Sequence, residues 1–325
     1  MLPVQIVATG FHAPERVETA AELAPRIGRS EGWIARRSGV LRRHIADEPV
    51  ERMAARAARE AIEGAGGAPP DLLIYAATTP RQMIPDTSVF VARELGLDGV
   101  TTFTLHATCL SFMPALWTAG SLITAGGYRR VLIVSAEIGS IARNVEEPES
   151  ASLLGDGAAA AVLERAPAGS PSGMLAMAIT THPAGAELTQ LRGGGMARHP
   201  LDPGTVTGDY LFSMNGPGVY RMARPRLTAQ VAQVLREAGL TATSEVDLVV
   251  PHQASGRALA TMAEHLGLAP ERVVNIIGEY GNCVAASLPM ALAHANREGR
   301  MKRGDTLMLI GTGAGLAVGT LILRW

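Results

Sequence analysis

Apolar residues in this chain fall into short, nearly unbroken runs that alternate with stretches of helical periodicity. The runs lie at 72–78, 131–137, 246–250 and 306–313. Runs of this length are typical of strands buried on both faces of a sheet. Helical patterns at 51–65 and 227–239 precede the first and third runs. The alternation predicts an α/β protein whose sheets are mostly parallel and covered by helices.

The two halves of the chain repeat the same order of elements. In the first half VLIVSAE (131–137) precedes GAAAAVLERA (157–166), and in the second TLMLIGTG (306–313) precedes GLAVGTLILRW (315–325). Each pair predicts two adjacent strands that close one half. The segment APAGSPSG near the midpoint has the composition of a linker. We therefore expect an N-terminal half at 1–170 and a C-terminal half at 171–325.

Cys109 lies in LHATCLSFMPAL, between a predicted strand and a predicted helix. The β-branched and aromatic residues from Thr101 to Ala107 predict the strand, and apolar residues from Cys109 to Ala125 predict the helix. A thiol at a helix N-terminus meets unpaired N–H groups and the positive end of the helix dipole, which favour the thiolate. The position indicates a nucleophile, and the alternative is a small buried apolar residue.

Two further candidate residues stand at element ends in the second half. The run 246–250 leads directly into Pro251-His252-Gln253-Ala254-Ser255, and Asn282 opens a second predicted helix in GNCVAAS. Taken alone, a histidine or an asparagine at such a place is more often structural. Together with Cys109 they form a set that thiolate chemistry uses: an imidazole as base or donor, and an amide as a fixed donor to an oxyanion.

Composition excludes several other classes of protein. A net charge of −1 argues against a general nucleic-acid binder, and two cysteines without metal-like spacing indicate a reducing compartment. No signal peptide is visible at the N-terminus, so we expect a cytoplasmic protein. Residues 99–128 lack charged side chains but contain His106, several Thr and Ser residues and a proline. They divide naturally into a strand and a buried helix, so we expect no membrane segment.

Taken together, these motifs resemble the β-ketoacyl-[acyl-carrier-protein] synthase III family of the thiolase superfamily. The resemblance rests on Cys109, PHQAS around His252, GNCVAAS around Asn282 and GTGAGLAVG at 311–319. It also includes EGWIARRSGVLRRHIA, GDGAAAAVL and the terminal LILRW, so it covers nearly the whole chain. The resemblance implies the thiolase fold, in which two similar halves stack as α-β-α-β-α layers.

The resemblance also implies a role for each candidate in the first half-reaction. Cys109 would attack an acyl thioester and hold the acyl group as an enzyme thioester. The backbone N–H of Cys109, with one from the turn Gly313, Ala314 and Gly315, would form the oxyanion hole. Substrates of the family travel on coenzyme A or on the phosphopantetheine of an acyl carrier protein, so we expect neither a bound cofactor nor a metal.

For the second half-reaction, the resemblance implies carbon–carbon bond formation by Claisen condensation. His252 Nε2 and Asn282 Nδ2 would bind the carbonyl of a malonyl- or β-ketoacyl-type thioester and stabilise its enolate. Two alternatives remain open, namely acyl transfer to an oxygen or nitrogen acceptor and a non-catalytic partner subunit. Retention of Asn282 argues against the first alternative, and retention of Cys109 argues against the second.

Residues that meet the acyl carrier or coenzyme A are also implied. Trp33 and Arg37 match positions that hold the adenine of coenzyme A in relatives, and Arg257 matches a carrier-docking position. The family forms homodimers through the strand near 101–107. In such a dimer Met83 and Ile84 would reach the acyl pocket of the partner.

Two positions depart from the family pattern, and a third differs from a related enzyme. Ser255 stands where relatives commonly have Asn, and Thr312 stands where the decarboxylating fatty-acid enzymes typically have Phe. Ile84 occupies the place of a glutamate base in the related enzyme that joins two fatty acyl chains head to head. The first two departures weaken assignment to the housekeeping enzyme that starts fatty-acid synthesis, and they are compatible with a dedicated ketosynthase of a specialised, polyketide-type pathway. The third disfavours a non-decarboxylative mechanism.

Overall fold

The computed structural model describes all residues from 1 to 325. Its strands are β1 (Val4–His12), β2 (Val17–Thr19), β3 (Arg42–His44), β4 (Leu72–Ala76), β5 (Thr101–Leu105), β6 (Arg130–Ile138), β7 (Asp156–Arg165), β8 (Gly173–Thr181), β9 (Thr189–Gln190), β10 (Ser213–Met214), β11 (Leu248–Pro251), β12 (Thr306–Gly313) and β13 (Ala317–Arg324). Its α-helices are α1 (Ala20–Leu23), α2 (Glu31–Ser38), α3 (Val50–Gly64), α4 (Thr87–Leu95), α5 (Phe112–Thr124), α6 (Pro148–Ala151), α7 (Gly216–Glu237), α8 (Gly256–His265), α9 (Ile277–Tyr280) and α10 (Ser287–Arg297). None of the helices is both long enough and apolar enough to span a bilayer.

The predicted duplication is confirmed by the topology of the two main sheets. The first sheet has the strand order β1-β7-β6-β4-β5, and the second has the order β8-β13-β12-β11 when it is followed in the same direction. In each sheet the first three strands are antiparallel neighbours, and the next pair, β6 with β4 or β12 with β11, is parallel. The predicted boundary at residue 170 falls in the loop between β7 and β8.

The prediction of mostly parallel sheets is wrong, because both sheets are mixed. Parallel pairing is confined to β4, β5 and β6 in the first sheet and to β11 and β12 in the second. Consecutive strands in these sets are joined through helices that pack on the sheet, and such crossovers produce parallel neighbours. Strands β12 and β13 are joined by a tight turn instead, so they run antiparallel.

Buried side chains divide the protein into five layers. Helices α5 and α10 lie between the two sheets and share one large apolar core with both of them. Helices α3 and α4 cover the outer face of the first sheet, and α7 and α8 cover the outer face of the second. The expected α-β-α-β-α thiolase arrangement is therefore confirmed. Ala and Gly residues at many contacts allow the helices and sheets to approach closely.

Candidate functional site

Cys109 lies on a tight turn between β5 and α5. The Ser111 hydroxyl closes this turn, because it accepts the N–H of Ala107 at 2.9 Å and donates to the carbonyl of Thr108 at 2.6 Å. Thr108 adopts a left-handed backbone conformation with φ of 51°, which is unusual for a β-branched residue. Helix α5 begins at Phe112, so the prediction that the helix starts at Cys109 is wrong.

Glycines of β12 bring this turn against the second half of the protein. A Cβ atom on Gly313 would lie 2.6 Å from Thr108 Oγ1, and one on Gly311 would lie 2.7 Å from the Cβ of His252 and 3.2 Å from Leu110. Any side chain at either position would therefore separate the turn from β12. The single Cβ position of Gly311 would meet both His252 and Leu110, so His252 and the Cys109 turn lie on the same side of β12.

The turn after β12 contacts the nucleophile directly. The N–H of Ala314 donates a hydrogen bond to the Cys109 sulfur, and the carbonyl of Ala314 accepts the Thr108 hydroxyl at 3.3 Å. Gly313 provides the close approach expected from the sequence. Gly315 has φ of 77° with no neighbouring atom near its Cβ position, so it serves the turn geometry rather than a close contact.

His252 follows the last residue of β11, as the apolar run predicts. Its N–H donates to the carbonyl of Ile310 at 2.8 Å, which fixes it beside β12. The side chain is buried, and its Nδ1 atom has no hydrogen-bond partner. Burial lowers the pKa of His252 to about 4, because the charged imidazolium loses its hydration. The imidazole is therefore neutral at neutral pH, with one donor and one acceptor nitrogen.

The Asn282 side chain is held in one orientation beside the His252 loop. Its Oδ1 accepts the N–H of Val284 at 2.9 Å and the hydroxyl of Ser287 at 3.3 Å. Because a backbone N–H can only donate, these contacts assign the oxygen and leave Nδ2 as the donor. Nδ2 donates to the carbonyl of Ala254 at 3.3 Å, and the N–H of Ala254 donates to the His252 carbonyl at 2.9 Å. One amide proton of Asn282 remains for a substrate.

The expectation that the protein favours the Cys109 thiolate is wrong. Burial raises the pKa of the Cys109 thiol to about 11. The negative charge of Glu137 also raises this pKa, whereas the hydrogen bond from Ala314 lowers it. Cys109 also precedes the first turn of α5, outside the range in which a helix dipole acts strongly. Attack by Cys109 therefore requires a base, and the neutral His252 is a candidate because it packs against the same residue of β12, Gly311, as Leu110 of the Cys109 turn.

The second cysteine is a packing residue. Cys283 is buried, its sulfur lies 3.5 Å from the Tyr280 carbonyl, and it packs near Gly157 and Met290. Burial raises the pKa of the Cys283 thiol well above its usual range. Although it follows Asn282 directly, its thiol points into the core.

The residues expected to meet the carrier or coenzyme A lie on helices α2 and α8. These helices touch where Gly39 meets Gly256, since a Cβ on Gly39 would lie 2.7 Å from the Gly256 Cα. Arg257 is exposed on the first turn of α8. Arg37 pairs with Glu149 at 2.5 Å.

Trp33 and the two acyl-pocket candidates stand at the surface. Trp33 is half-buried. The guanidinium of Arg29 lies over the Trp33 ring, 5.3 Å from its centroid. Met83 and Ile84 are 70% and 85% exposed on the loop between β4 and α4. The two side chains therefore line no pocket within this single chain.

Sequence reasoning missed three residues that build the site. Ser111 closes the nucleophile turn, Gly311 lets both His252 and Leu110 pack closely against β12, and the buried Glu137 holds the Thr78–Thr79 turn. Glu137 had a visible signal, because it is a lone carboxyl at the end of the apolar run VLIVSAE. Gly311 begins the glycine-rich motif GTGAGLAVG, which is a signal in itself. Ser111 had none, since its role depends on tertiary contacts.

Comparison with known proteins gives the family. Residues 103–183 match the family 3-Oxoacyl-[acyl-carrier-protein (ACP)] synthase III, and residues 235–325 match its C-terminal region. A β-ketoacyl-[acyl-carrier-protein] synthase III of Symbiobacterium thermophilum is 38% identical over 99% of this chain and 98% of its own length. One of Neisseria meningitidis is 36% identical over 99% of both chains.

Solved structures agree with this result. The 3-oxoacyl-(acyl carrier protein) synthase III of Pseudomonas aeruginosa superposes with a TM-score of 0.90 at 35% identity, covering 99% of this chain and 98% of its own. The priming β-ketosynthase of the R1128 polyketide pathway superposes with a TM-score of 0.91 at 29% identity, covering 99% of this chain and 96% of its own. This chain belongs to the β-ketoacyl-[acyl-carrier-protein] synthase III family.

Proposed function

We propose that the protein is a ketosynthase that joins a Cys109-bound acyl group to a second thioester by Claisen condensation. The observation that carries this proposal is that the Cys109 turn and His252 both pack against the glycines of β12, while Asn282 is hydrogen-bonded to the His252 loop. A nucleophile, a neutral imidazole and an oriented amide are the groups that acyl loading followed by enolate formation requires.

In the first half-reaction Cys109 attacks the carbonyl carbon of an acyl thioester. His252 takes the thiol proton and returns it to the sulfur of the departing coenzyme A or carrier. The N–H groups of Cys109 and Ala314 stabilise the oxyanion of the tetrahedral intermediate. The hydrogen bond between Ala314 and the Cys109 sulfur supports this role, because it brings that N–H to the reacting centre.

In the second half-reaction His252 Nε2 and Asn282 Nδ2 donate to the carbonyl oxygen of a malonyl-type thioester. Loss of carbon dioxide leaves the electron pair of the broken bond as an enolate, which these donors stabilise. The enolate carbon attacks the acyl carbonyl on Cys109, and the carbon–sulfur bond breaks to release the product. The Cys109 sulfur leaves with the electron pair of that bond and takes a proton from solvent to restore the thiol. Fixation of the Asn282 amide by Val284 and Ser287 supports this role, since a preorganised donor needs no rearrangement during the reaction.

Acyl carrier protein, coenzyme A or both deliver the substrates under this proposal. The names of the relatives refer to acyl-carrier-protein synthases. The exposed Arg257 next to α2 is suited to attract an anionic phosphopantetheine or an acidic carrier. Trp33 offers an aromatic face nearby, and Arg37 becomes available to a ligand only when its ion pair with Glu149 opens.

The active form under this proposal is a homodimer. Strand β5 is the edge of the first sheet, and its outer side has unpaired backbone groups. A second copy would extend the sheet through β5 and cover the exposed Met83 and Ile84. Exposed apolar side chains beside an open sheet edge are typical of a surface that a partner covers.

The test is single-turnover chemistry on pre-acylated enzyme with a malonyl-thioester acceptor. Asn282→Ala is expected to keep acyl loading but to lower the rate of product formation by roughly a hundred- to a thousandfold, as removal of one oxyanion donor does elsewhere. Asn296→Ala is the matched control, because Asn296 lies on α10 and bonds to Thr9 away from the site. An unchanged rate in Asn282→Ala, or only ester or amide products from wild type, would contradict the proposal.

A further inference from the structure

Glu137 is a buried carboxyl group to which the proposed chemistry assigns no role. It lies one residue before the end of β6, and only 1% of its surface is exposed. No arginine, lysine or histidine pairs with it, and burial raises the pKa of Glu137 to about 7. A buried carboxyl group without a cationic partner lowers the stability of a protein. The presence of Glu137 near a reactive thiol therefore needs a functional explanation.

Two hydrogen bonds and one close polar contact connect this carboxyl to the nucleophile turn. Its two oxygens accept the N–H groups of Thr78 and Thr79, the latter at 3.2 Å, in the turn that follows β4. The carbonyl of the preceding Ala77 lies 3.3 Å from the Ser111 hydroxyl, which itself closes the Cys109 turn. Glu137 therefore fixes the Ala77–Thr79 backbone, which contacts Ser111 of the nucleophile turn.

The side chain also faces the layer that contains the site. In the sheet Glu137 pairs with Gly157, and side chains of such a pair share one face. A Cβ on Gly157 would lie 2.5 Å from Met290 of α10, so this face looks into the middle layer. The titratable groups that respond to the charge of Glu137 are the Cys109 thiol, the Cys283 thiol and the Tyr75 hydroxyl. All three are harder to ionise beside it.

We infer that Glu137 is a positioning residue for the nucleophile, which fixes the Thr78–Thr79 turn beside Ser111 of the Cys109 turn and places a negative charge near the Cys109 thiol. The inference rests on the proposed role of Cys109. The protonated carboxyl, which prevails below pH 7, permits the thiolate more readily. The ionised carboxyl, which prevails above pH 7, opposes it.

The test measures the pH dependence of Cys109 alkylation by iodoacetamide, followed by peptide mass spectrometry so that Cys283 is counted separately. Glu137→Gln keeps the size of the side chain and removes the charge. Its alkylation midpoint is expected to fall by on the order of one pH unit, as loss of a nearby like charge predicts. Glu137→Asp keeps the charge, so its midpoint is expected to stay near that of wild type while the rate changes.

Asp156→Asn is the matched control for loss of a buried carboxylate. Asp156 is buried and accepts the N–H groups of Ala46 and Ser140, but its charge acts on Cys283 and not on Cys109. The Cys109 midpoint in this variant is expected to match wild type. An unchanged or higher midpoint in folded Glu137→Gln, or an equal fall in Asp156→Asn, would overturn the inference.

Wild-type protein provides a second measurement if Glu137→Gln does not fold. The logarithm of the Cys109 alkylation rate is expected to rise with less than unit slope near pH 7, because ionisation of Glu137 opposes that of the thiol. A straight line of unit slope through this range would overturn the inference. Alkylation requires no condensation activity, so failure of this test is distinct from failure of the proposed function.

Discussion

Gly311→Ala tests whether close packing of β12 sets the geometry of the site. The added Cβ would lie 2.7 Å from the Cβ of His252, and ordinary van der Waals contact begins near 3.4 Å. The two segments must therefore separate by about 0.7 Å. The Cβ of His252 is anchored to the backbone, which is itself bonded to Ile310, so the strain cannot be relieved by turning a side-chain end.

A shift of this size displaces His252 relative to Cys109. Misplacement of catalytic groups by 1 Å costs on the order of a hundredfold in rate, so we expect the condensation rate to fall by tens of fold to about a hundredfold. Overpacking of this kind also lowers the free energy of unfolding by about 1–3 kcal/mol. Single-turnover condensation on pre-acylated enzyme measures the first effect, and denaturant unfolding measures the second.

Gly319→Ala is the matched control for Gly311→Ala. Its Cβ would meet Leu110 Cδ1 at 3.0 Å and Met113 Sδ at 3.2 Å, which are flexible side-chain ends, and it would not reach His252. We expect this variant to condense at close to the wild-type rate. If Gly311→Ala also keeps the wild-type rate while folding normally, close packing of β12 does not position His252.

Two further predictions concern the nucleophile and the quaternary structure. Cys109→Ala is expected to abolish acyl loading, whereas Cys283→Ala, which removes a thiol buried in the core, is expected to leave acyl loading largely intact. Intact-mass and peptide mass spectrometry of protein incubated with acyl thioesters measures both effects. Acyl label found chiefly on Cys283 would reverse the assignment. Sedimentation at micromolar concentration is expected to show a species of twice the formula mass, because β5 is an open sheet edge, and a monomer alone would contradict the dimer.

Sequence patterns located the three candidate residues because each stands where an element begins or ends. The apolar run before Pro251 predicts a strand end, and His252 follows that end. Asn282 precedes a short 3-10 turn at Val284–Ala286, and α10 begins only at Ser287, so the prediction that Asn282 opens the helix is wrong. The departure at Ser255 has a local explanation as well, since its hydroxyl caps α8 by accepting the N–H of Ala258 at 3.1 Å. Serine and asparagine are comparably good N-cap residues, so Ser255 can replace the asparagine of relatives in this role.

The protonation of Cys109 shows where local reasoning fails. From the sequence, the helix after Cys109 predicts a stabilised thiolate. In the folded protein the thiol is half-buried and near the negative charge of Glu137, and both features oppose ionisation. Its place before the helix removes the support of the helix dipole. Glu137 is 28 residues away along the chain, so no local pattern relates the two groups.

The sequence by itself determined the order of the elements, the duplication and the chemical identity of the site residues. Hydrophobic periodicity and turn residues are local properties, and the chain retains them in any fold. The tertiary structure alone decided the strand directions, the contact of Gly311 with His252, the fixed orientation of Asn282 and the protonation of Cys109 and Glu137. These properties depend on which distant segments exclude water from one another, because burial and neighbouring charges set the energies of ionised groups.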